Sequence, residues 1–574
     1  MSVLLSGNHP FPIDAVAFNA FDHTVSVSSL MTPTGVPYAV LTYTPRSTPG
    51  FDYNQFFTYA GAPSAAVNFT VSFDATIIEA RNYFLSNGAP DLTGQLTAPR
   101  ALSAAEIANA RAALAEYSQY ANLVFTEVSG GADIMYLHDE RFGVNGFARN
   151  DFDVSWSAGG AYTLENIVGF AAIGSRNDPY MFVHELGHVL TLKHVGPIQT
   201  DSETPFLPAQ FLDSKYSIMF YDVTHSEVID PGERFTRHLQ LFDVYALQQR
   251  FGSNMSWNAG DDIYTAASFD GWRQVLWDAG GEDTIDFRDQ SSDQKIDLRE
   301  GGFSTLGGFG SFNPTDNLSI AYGAVIEHAV GGKGDDKITG NDARNNLRGS
   351  IGDDFLHGQA GSDTVGGGAG RDTLLGGFNS DTLIGGAGPD ILNGGTGIDK
   401  ADYTAAPTGV ALNLQSGGWA GDAAGDRFIS IEIVSGSNHN DTLTGSRYND
   451  DLRGRGGSDL LDGAGADDKL YGYSGNDTLI GGAGNDTLTG GSHNDRFVFS
   501  GAFGHDVIQD MNAGAFIRDV IEINGFGPAF DSFAEILAAT TDIGGNAVID
   551  INGNTITLAG VAKAQLDAND FIFG

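Results

Sequence analysis

The sequence predicts an α+β domain followed by an all-β solenoid of short strands. Three observations predict this fold class. The N-terminal half shows a helix–strand–strand–helix pattern, and the C-terminal half repeats every nine residues. Glycine, with 77 residues in all, is concentrated after about residue 330, beside Asp and Asn. A chain of 574 residues is too long for one ordinary core, so two or more domains are expected.

The N-terminal pattern begins with LSAAEIANARAALAEYSQY, which predicts a helix. Ser103 and Glu106 form a capping box at its start. The apolar stripe of this helix consists of Ile107, Ala110, Leu114, Tyr117 and Ala121. NLVFTEV and ADIMYL then predict strands, and YMFVHELGHVLTLKH predicts a second, buried helix. This order of elements is typical of an α+β domain.

The second helix contains HELGH, which is the first candidate for chemistry. His184 and His188 lie one turn apart, so both imidazoles face one side of the helix and can bind Zn²⁺. Glu185 projects to the neighbouring side, where it can take a proton from water. A single histidine is more often a surface residue or a satisfied core residue. The complete pattern on an apolar helix favours a metal site.

A catalytic zinc site needs a third protein ligand, and His194 follows in the sequence. A straight helix turns about 100° per residue, so His194 would point roughly 80–120° away from the two other histidines. The chain must therefore leave the helix after His188. Glycine at position 191 would ease that turn, whereas the β-branched Thr191 costs on the order of 1–3 kcal/mol there, which zinc coordination can exceed. If the helix instead continues, the third ligand would be a downstream carboxylate: Asp201, Glu203 or Asp222.

Two arrays of nine-residue units make up most of the C-terminal half. Eight units run from Gly331 to Asp402, and seven run from Gly436 to Val498. The eighth residue of each unit is apolar, which fits one inward side chain per short strand. The sixth is Asp in every unit except the second, which has Asn345, and an Asp beside glycine-rich backbone suits calcium shared between neighbouring turns. A flexible glycine-rich linker would not keep phase with a leucine. The expected calcium ligands are Asp336, Asp354, Asp363, Asp372, Asp381, Asp390, Asp399, Asp441, Asp450, Asp459, Asp468, Asp477, Asp486 and Asp495.

Composition excludes several classes of protein. The formal net charge of −42 excludes nucleic acid as a default partner, because phosphate would be repelled. The absence of cysteine excludes disulfides and thiolate metal sites. The N-terminal sequence MSVLLSGNHPFPID lacks a basic start and a long apolar run, so no cleaved secretory signal is expected. No stretch is apolar and long enough to predict a membrane span.

The nonapeptide arrays resemble the RTX family of calcium-binding parallel β-rolls, over most of residues 331–498. The resemblance implies several structural Ca²⁺ ions, passage through a type I exporter by way of the C-terminus, and folding on external calcium. The last residues, DANDFIFG, resemble the export signal of that family. A final β-strand is an equally compatible interpretation of the same residues.

The segment KYSIMFYD resembles the Met-turn that underlies the metal site of metzincin proteases, with Met219 as the turn residue. A Met and a Tyr in a core strand would be the alternative. Together with HELGH, the RTX arrays and the connecting segments LQLFDVYALQQRFGSNMSW, LWDAGGEDTIDF and NLSIAYGAVIEHAVGG, it makes the chain resemble the serralysin group of metzincins from about residue 100 onward. Thr191 and the second array depart from the pattern of that family.

The serralysin resemblance implies a metzincin-type catalytic domain with one catalytic zinc. The implied zinc ligands are His184, His188 and His194, with Glu185 as general base and Tyr221 as a flexible fifth ligand that also donates to the oxyanion. The expected function is a secreted, extracellular, monomeric zinc endopeptidase that acts on proteins or peptides. The alternative, motivated by Thr191, is a non-catalytic calcium-binding surface or adhesion protein with a degenerate protease domain.

Six segments are expected along the chain. They are an N-terminal protease domain at 1–255 with a divergent or insert-containing part at 1–100, a connecting β segment at 256–330, the first array at 331–402, an inter-array β segment at 403–435, the second array at 436–498, and a C-terminal β segment with the export signal at 499–574.

Overall fold

The computed structural model describes residues 66–72, 99–100, 102–129, 132, 134–139, 147–156, 162–173, 179–190, 192, 215–219, 237–307, 315–513 and 519–574. Its helices are α1 (Ala104–Tyr120), α2 (Pro179–Val189), α3 (Leu241–Phe251) and α4 (Phe533–Ala539). The predicted capping box is confirmed, because the Glu106 amide donates to Ser103 Oγ and the Ser103 amide donates to Glu106 Oε2. The predicted stripe of α1 is buried except at Ile107, which is half-buried.

The described part of the N-terminal half contains one mixed sheet. Its strands are β1 (Val67–Ser72), β2 (Pro99–Arg100), β3 (Leu123–Glu127), β4 (Ile134–Asp139), β5 (Phe147–Trp156) and β6 (Tyr162–Ile173). They lie in the order β3-β1-β4-β6-β5, with β2 paired to β4. Neighbours along this order are parallel except β5, which is antiparallel to β6. The strands predicted from NLVFTEV and ADIMYL are thus confirmed as β3 and β4.

Helix α2 is packed between the sheet and α1. It contacts β5 and β6 on one side and α1 on the other. The Tyr117 hydroxyl of α1 donates to the Val183 carbonyl of α2 over 2.9 Å, and both residues are buried. The Tyr120 hydroxyl, one turn further along α1, donates to the Val275 carbonyl over 2.8 Å. Helix α1 therefore connects α2 to the region that follows the N-terminal half.

Residues from 256 onward are largely β, with mainly parallel pairing. The connecting strands are β7 (Ile263–Thr265), β8 (Gln274–Leu276), β9 (Thr284–Asp286), β10 (Lys295–Asp297), β11 (Phe303–Ser304), β12 (Leu318–Ile320) and β13 (His328–Val330). The first array forms β14 (Lys337–Thr339), β15 (Asn346–Ile351), β16 (Phe355–Ala360), β17 (Thr364–Ala369), β18 (Thr373–Phe378), β19 (Thr382–Ala387), β20 (Ile391–Thr396) and β21 (Lys400–Asp402). The inter-array strands are β22 (Ala411–Asn413), β23 (Gly417–Ala420), β24 (Arg427–Ile429) and β25 (Ile433–Ser435).

The second array and the C-terminal segment continue this pattern. The array forms β26 (Thr442–Thr444), β27 (Asp451–Gly456), β28 (Leu460–Asp462), β29 (Lys469–Ser474), β30 (Thr478–Ile480), β31 (Thr487–Ser492) and β32 (Arg496–Ser500). The last strands are β33 (His505–Ile508), β34 (Val520–Asn524), β35 (Thr540–Ile543), β36 (Asn546–Ile551), β37 (Asn554–Leu558) and β38 (Phe571–Phe573). Strand β38 pairs in parallel with β34, so the final strand expected for DANDFIFG is present.

Each nine-residue unit contributes one strand, and successive units alternate between two sheets. Strands β14, β16, β18 and β20 lie in one sheet, while β15, β17, β19 and β21 lie in another, all in parallel register. The eighth residues of the units are buried between the sheets, as the sequence predicted. They are Ile338, Leu347, Leu356, Val365, Leu374, Leu383, Leu392 and Ala401, then Leu443, Leu452, Leu461, Leu470, Leu479, Leu488 and Phe497.

The two arrays stack end to end. One sheet of 15 strands runs through both, in the order β35-β36-β37-β33-β31-β29-β27-β25-β21-β19-β17-β15-β13-β9-β7. On the opposite side, the sheet of the first array ends at β24, and a separate sheet continues with β23-β22-β26-β28-β30-β32-β34-β38. The inter-array segment thus interrupts one side of the solenoid and leaves the other continuous. In the part of the chain that the structure describes, no helix combines the length and apolarity needed to cross a bilayer.

Candidate functional site

Helix α2 carries the predicted metal-binding motif, and its C-terminal end is closed by a specific hydrogen bond. The Leu192 amide donates to the Gly187 carbonyl over 2.8 Å, the 6→1 bond of the motif that commonly ends helices. The helix ends at Val189, before position 191. A helix that ends here is what ligation by His194 requires, whereas the alternative of a downstream carboxylate ligand expected the helix to continue. The predicted residues that lie outside the described part of the chain are Thr191, His194, Asp201, Glu203, Tyr221 and Asp222, together with the side chain of His188.

A turn that includes Met219 lies directly beneath α2. Met219 is fully buried, and a Cβ added to Gly187 would lie 3.0 Å from Met219 Sδ and 2.8 Å from Tyr117 Oη. The close approach explains why HELGH has glycine at its fourth position, since any side chain there would displace the turn. The structure therefore places Met219 against the motif helix, and its role as a Met-turn residue stays a prediction.

The same turn orients His184 through its backbone. His184 Nδ1 lies 3.1 Å from the Ile218 carbonyl oxygen and 3.2 Å from the Tyr180 hydroxyl. A carbonyl can only accept, so Nδ1 carries the proton in this contact, and Nε2 keeps the lone pair. A histidine that donates through one ring nitrogen and ligates through the other is the usual arrangement at metal sites. His184 therefore fits a zinc ligand through Nε2.

Glu185 is buried beside His184 and has an unsatisfied oxygen. Its Oε2 has no hydrogen-bond partner among the described residues. Burial raises the pKa of Glu185 to about 8. An orphaned buried carboxylate oxygen is costly unless a cation, water or substrate completes it. This oxygen is thus consistent with a carboxylate placed to exchange protons at a metal site.

Asp243, which the sequence analysis did not single out, holds the turn from the other side. It lies in the first turn of α3, is fully buried, and accepts hydrogen bonds from Ser217 Oγ (2.6 Å), the Ile218 amide (2.6 Å) and the Gln240 amide (2.9 Å). Burial raises the pKa of Asp243 to about 7, against the effect of these three donors. In the sequence, its only signal is an acidic residue near a helix start, which is common.

The connecting β segment also contacts the turn. Lys215 Nζ lies 3.0 Å from Asp316 Oδ2, and both side chains are about three-quarters buried. The Tyr216 ring stacks on Phe242 with centroids 5.1 Å apart and meets Phe303 edge-on at 5.3 Å. The turn beneath the motif helix is therefore clamped between α3 and a region that leads into the solenoid.

A histidine bridge joins the N-terminal half to the connecting segment. His238 Nδ1 lies 3.2 Å from Glu116 Oε2 of α1, and Nε2 lies 3.0 Å from Asp270 Oδ2. Burial opposes the charged form, yet the hydrogen bonds to Asp270 and Glu116 raise the pKa of His238 to about 10. The imidazolium is therefore a charged link between α1 and the loop at residue 270.

The repeat aspartates occupy equivalent places along the solenoid. In most units, Oδ1 of this aspartate accepts the amide of the equivalent residue two units earlier, as Asp372 does from Asp354 over 2.9 Å. The second oxygen is buried and has no protein partner among the described residues in twelve of these turns. They are Asp354, Asp363, Asp372, Asp381, Asp390, Asp399, Asp459, Asp468, Asp477, Asp486, Asp495 and Asp506. The first turns differ, because Oδ2 of Asp336, Asp441 and Asp450 accepts an amide of Gly332, Ser437 and Ser446 respectively.

The unsatisfied oxygens fit a bound cation. Burial raises the pKa of Asp459 and Asp468 to about 8. A methyl group at Gly376 would collide with Asp381 Oδ2 and with the Gly394 carbonyl, so glycine lets carboxylate and backbone oxygens of successive turns approach. Buried oxygens without donors, grouped with backbone carbonyls, are the ligand type that Ca²⁺ prefers.

Some acidic residues that accept the amide of a repeat aspartate fall outside the nine-residue phase, among them Asp506 and Asp426. Asp506 accepts the Asp486 amide over 2.9 Å and has an unsatisfied Oδ2, so it continues the ladder beyond the second array. Asp426 accepts the Asp390 amide over 2.8 Å, and its Oδ2 accepts the Tyr403 hydroxyl over 2.6 Å. The nine-residue period does not predict either residue, because insertions break the period before each of them.

A further acidic group lies in the connecting segment. Carboxylate oxygens of Asp262, Asp278 and Asp283 lie within 4.8 Å of one another. Asp283 is fully buried, its Oδ2 has no partner among the described residues, and burial raises its pKa above the usual range. These three residues could hold a hard cation. The sequence signal was weak, because they come from separate strands and turns.

Comparison with known proteins concerns this C-terminal region. Residues 250–423 match the family model described as Peptidase M10 serralysin C terminal, and residues 435–470 and 471–508 each match the RTX calcium-binding nonapeptide repeat. The C-terminal half is serralysin-like. Serralysin C of Dickeya chrysanthemi is 35% identical over 264 residues, which cover 41% of this chain and 53% of that protein. Serralysin of Proteus mirabilis is 30% identical over 274 residues, which cover 42% and 54%.

The match to the serralysins has clear limits. The chain spans about half the length of the curated relatives it matches, and the similarity does not extend over the motif helix. Among solved structures, the extracellular lipase LipA from Serratia marcescens covers 43% of this chain and 40% of its own, at 20% identity. Its TM-score of 0.18 is too low to support a fold argument. The serralysin-like region is thus established by sequence, whereas the candidate metal site is supported only by the geometry of the described residues.

Proposed function

We propose that this chain is a secreted zinc-dependent endopeptidase that hydrolyses peptide bonds of extracellular proteins, and that its serralysin-like region folds on calcium. The proposed enzymatic activity is supported by one observation. The motif helix sits directly on the Met219 turn, with Gly187 against Met219 Sδ and His184 Nδ1 against the Ile218 carbonyl. A decaying site would have no reason to keep a glycine at that contact and a buried, unsatisfied Glu185 beside it.

The proposed zinc ligands are His184, His188 and His194. His184 fits this role by its hydrogen bonding, and the other two complete the number of protein ligands that a catalytic zinc needs. When bound, Zn²⁺ would polarise the attacking water and the peptide carbonyl.

The protein residues would then move the protons. Glu185 accepts a proton from the attacking water and passes it to the nitrogen of the departing amine. Its burial among apolar residues of α2 excludes bulk water from this transfer. The Tyr221 hydroxyl would donate a hydrogen bond to the oxyanion of the tetrahedral intermediate.

The serralysin-like region supports the remaining parts of the proposal. Its repeats would bind several Ca²⁺ ions through the aspartates with unsatisfied Oδ2 oxygens. Crowded carboxylates repel one another without a cation, so calcium would favour the folded solenoid outside the cell. Type I export through the C-terminus, a monomeric state and protein or peptide substrates complete the proposed function.

Zinc content is the first test. Elemental analysis of calcium-folded wild type should give about one Zn²⁺ per chain, and His194→Ala should lose it. Zinc retained by His194→Ala would move the third ligand to Asp201, Glu203 or Asp222. A wild type without zinc would contradict the catalytic proposal and favour a calcium-binding surface protein.

Peptide hydrolysis is the second test. Glu185→Gln keeps the shape of the side chain but cannot accept the proton, so kcat should fall by roughly 10²–10⁴-fold with zinc content unchanged. Gln248→Met is the control, because Gln248 is buried in α3 and bonds to the Tyr120 carbonyl, away from the turn. Wild-type activity in purified Glu185→Gln would contradict the role of Glu185.

A further inference from the structure

We infer that Asp243 is a positioning residue of the metal centre, which fixes the peptide group that orients His184. This inference rests on the proposed zinc function and adds to it a residue on a separate helix. Asp243 lies 59 residues after His184 in the sequence, and no motif connects the two. Their connection is visible only through the hydrogen bonds of the turn between them.

The Ile218–Met219 peptide group is the central element of this connection. Its carbonyl accepts from His184 Nδ1 over 3.1 Å, and its amide donates to Ser217 Oγ over 3.0 Å. The Ser217 hydroxyl in turn donates to Asp243 Oδ1 over 2.6 Å. Both ends of one peptide group are thus bonded, one to the proposed zinc ligand and the other to the carboxylate by way of a hydroxyl.

The preceding peptide group is fixed by the same carboxylate. The Ile218 amide donates to Asp243 Oδ2 over 2.6 Å. Asp243 therefore sets the orientation of two successive peptide planes, and the direction of the Ile218 carbonyl follows from them. Since Ser217, Ile218, Met219 and Asp243 are all buried, water cannot easily replace a lost bond in this network.

Asp243 is itself held by α3. It accepts the Gln240 amide over 2.9 Å at the start of that helix, where the positive end of the helix dipole favours an anion. The carboxylate is a rigid acceptor for three donors, and its position is set by the packing of α3 in the core. Asparagine at this position offers one acceptor oxygen and a donor group, so at least one of the three donors would be left unsatisfied.

Zinc affinity and the state of the His184 ring test this role. Asp243→Asn should raise the dissociation constant for Zn²⁺, measured by chelator competition, by about 10- to 100-fold, which is usual when a group behind a metal ligand is lost. In metal-free protein labelled with ¹⁵N-histidine, wild type should show a protected proton on His184 Nδ1, which Asp243→Asn loses. The matched control Gln248→Met, on the same helix, should keep both properties.

Wild-type zinc affinity together with a protected Nδ1 proton in Asp243→Asn would overturn the inference. If Asp243→Asn does not fold, Ser217→Ala tests the same network, because it removes only the hydroxyl that accepts from the Met219 amide and donates to Asp243 Oδ1. A rise of about 3- to 10-fold in the zinc dissociation constant would then support the role, and no change would overturn it. A wild type that binds no zinc would contradict the proposed function instead, and the Nδ1 proton of the metal-free proteins would still decide the role of Asp243.

Discussion

Replacement of Gly187 by alanine would test the contact on which the proposed metal centre depends. The added methyl group would lie 2.8 Å from Tyr117 Oη, 3.0 Å from Met219 Sδ and 3.4 Å from Leu192 Cδ1, all on buried side chains. Tyr117 cannot retreat without weakening its 2.9 Å bond to the Val183 carbonyl. Overpacking of this kind costs about 1–3 kcal/mol, and alanine recovers up to about 1 kcal/mol relative to glycine in a helix.

The expected net loss in unfolding free energy for Gly187→Ala is therefore about 1–2 kcal/mol, measured by chemical denaturation of the calcium-loaded chain. Gly260→Ala is the control, because its methyl group would meet no atom within 4 Å, and it should change stability by less than about 0.5 kcal/mol. Met219→Ala should cost about 2–5 kcal/mol through the cavity it leaves.

The double variant Gly187→Ala/Met219→Ala makes the test decisive. The new methyl group enters part of the space that the methionine leaves, so the combined loss should be smaller than the sum by at least about 0.5 kcal/mol. Strictly additive losses would show that Gly187 and Met219 do not touch. The interpretation of the Met219 turn as the support of the motif helix would then be refuted.

Three other expectations follow from contacts elsewhere in the chain. The pKa of His238 is raised to about 10 in the folded chain from a usual 6.5. The contribution of its charged form to the unfolding free energy is therefore complete below about pH 6.5 and is lost as the pH rises through 10. Wild type should therefore lose more unfolding free energy than His238→Gln between these pH values, and parallel curves would contradict the bridge to Glu116 and Asp270. Tyr403→Phe leaves Asp426 Oδ2 without its donor, and should lower the unfolding free energy of the calcium-loaded chain by about 1–3 kcal/mol. An unchanged denaturation midpoint would show that the inter-array segment does not need this hydrogen bond. Calcium removal by EGTA should abolish the β-strand signal in circular dichroism, and added calcium should restore it. Each bound Ca²⁺ should add about 2.7 kcal/mol to the unfolding free energy when free calcium is at a hundredfold excess over the dissociation constant. A spectrum that does not change with calcium would contradict calcium-driven folding.

Local periodicity was enough to predict the solenoid. Leu374 and its equivalents are buried because each nine-residue unit repeats the same environment, and any unit in phase predicts the next one. The helix at residues 104–120 was equally accessible, because its capping box and apolar stripe are local signals. The position of Met219 beneath the motif helix was implied by a family resemblance, whereas its contact with Gly187 was not predicted from either segment.

Contacts between distant segments could not be predicted in this way. In the sequence, Asp243 resembles any acidic residue in the first turn of a helix. Its hydrogen-bond partners Ser217 and Ile218 lie in another segment of the chain. Asp506 was missed because extra residues after the second array shift it out of phase. The continuous sheet across the inter-array segment was also hidden, since strand pairing depends on which segments are adjacent in space and not on their composition.

Because successive units alternate between two sheets, odd-numbered and even-numbered units of the solenoid occupy different sheets. The Asp354 amide donates to Asp372, and the Asp363 amide donates to Asp381. Equivalent aspartates are therefore hydrogen-bonded between every second unit and not between neighbouring units. Loss of a single unit would move every later strand to the opposite sheet, whereas loss of two would preserve all the pairings. Even the long insertion between the arrays respects this rule, because β24 and β25 rejoin the sheets in the same alternation. Such a chain can thus be lengthened or shortened by duplication and deletion, but only in even steps.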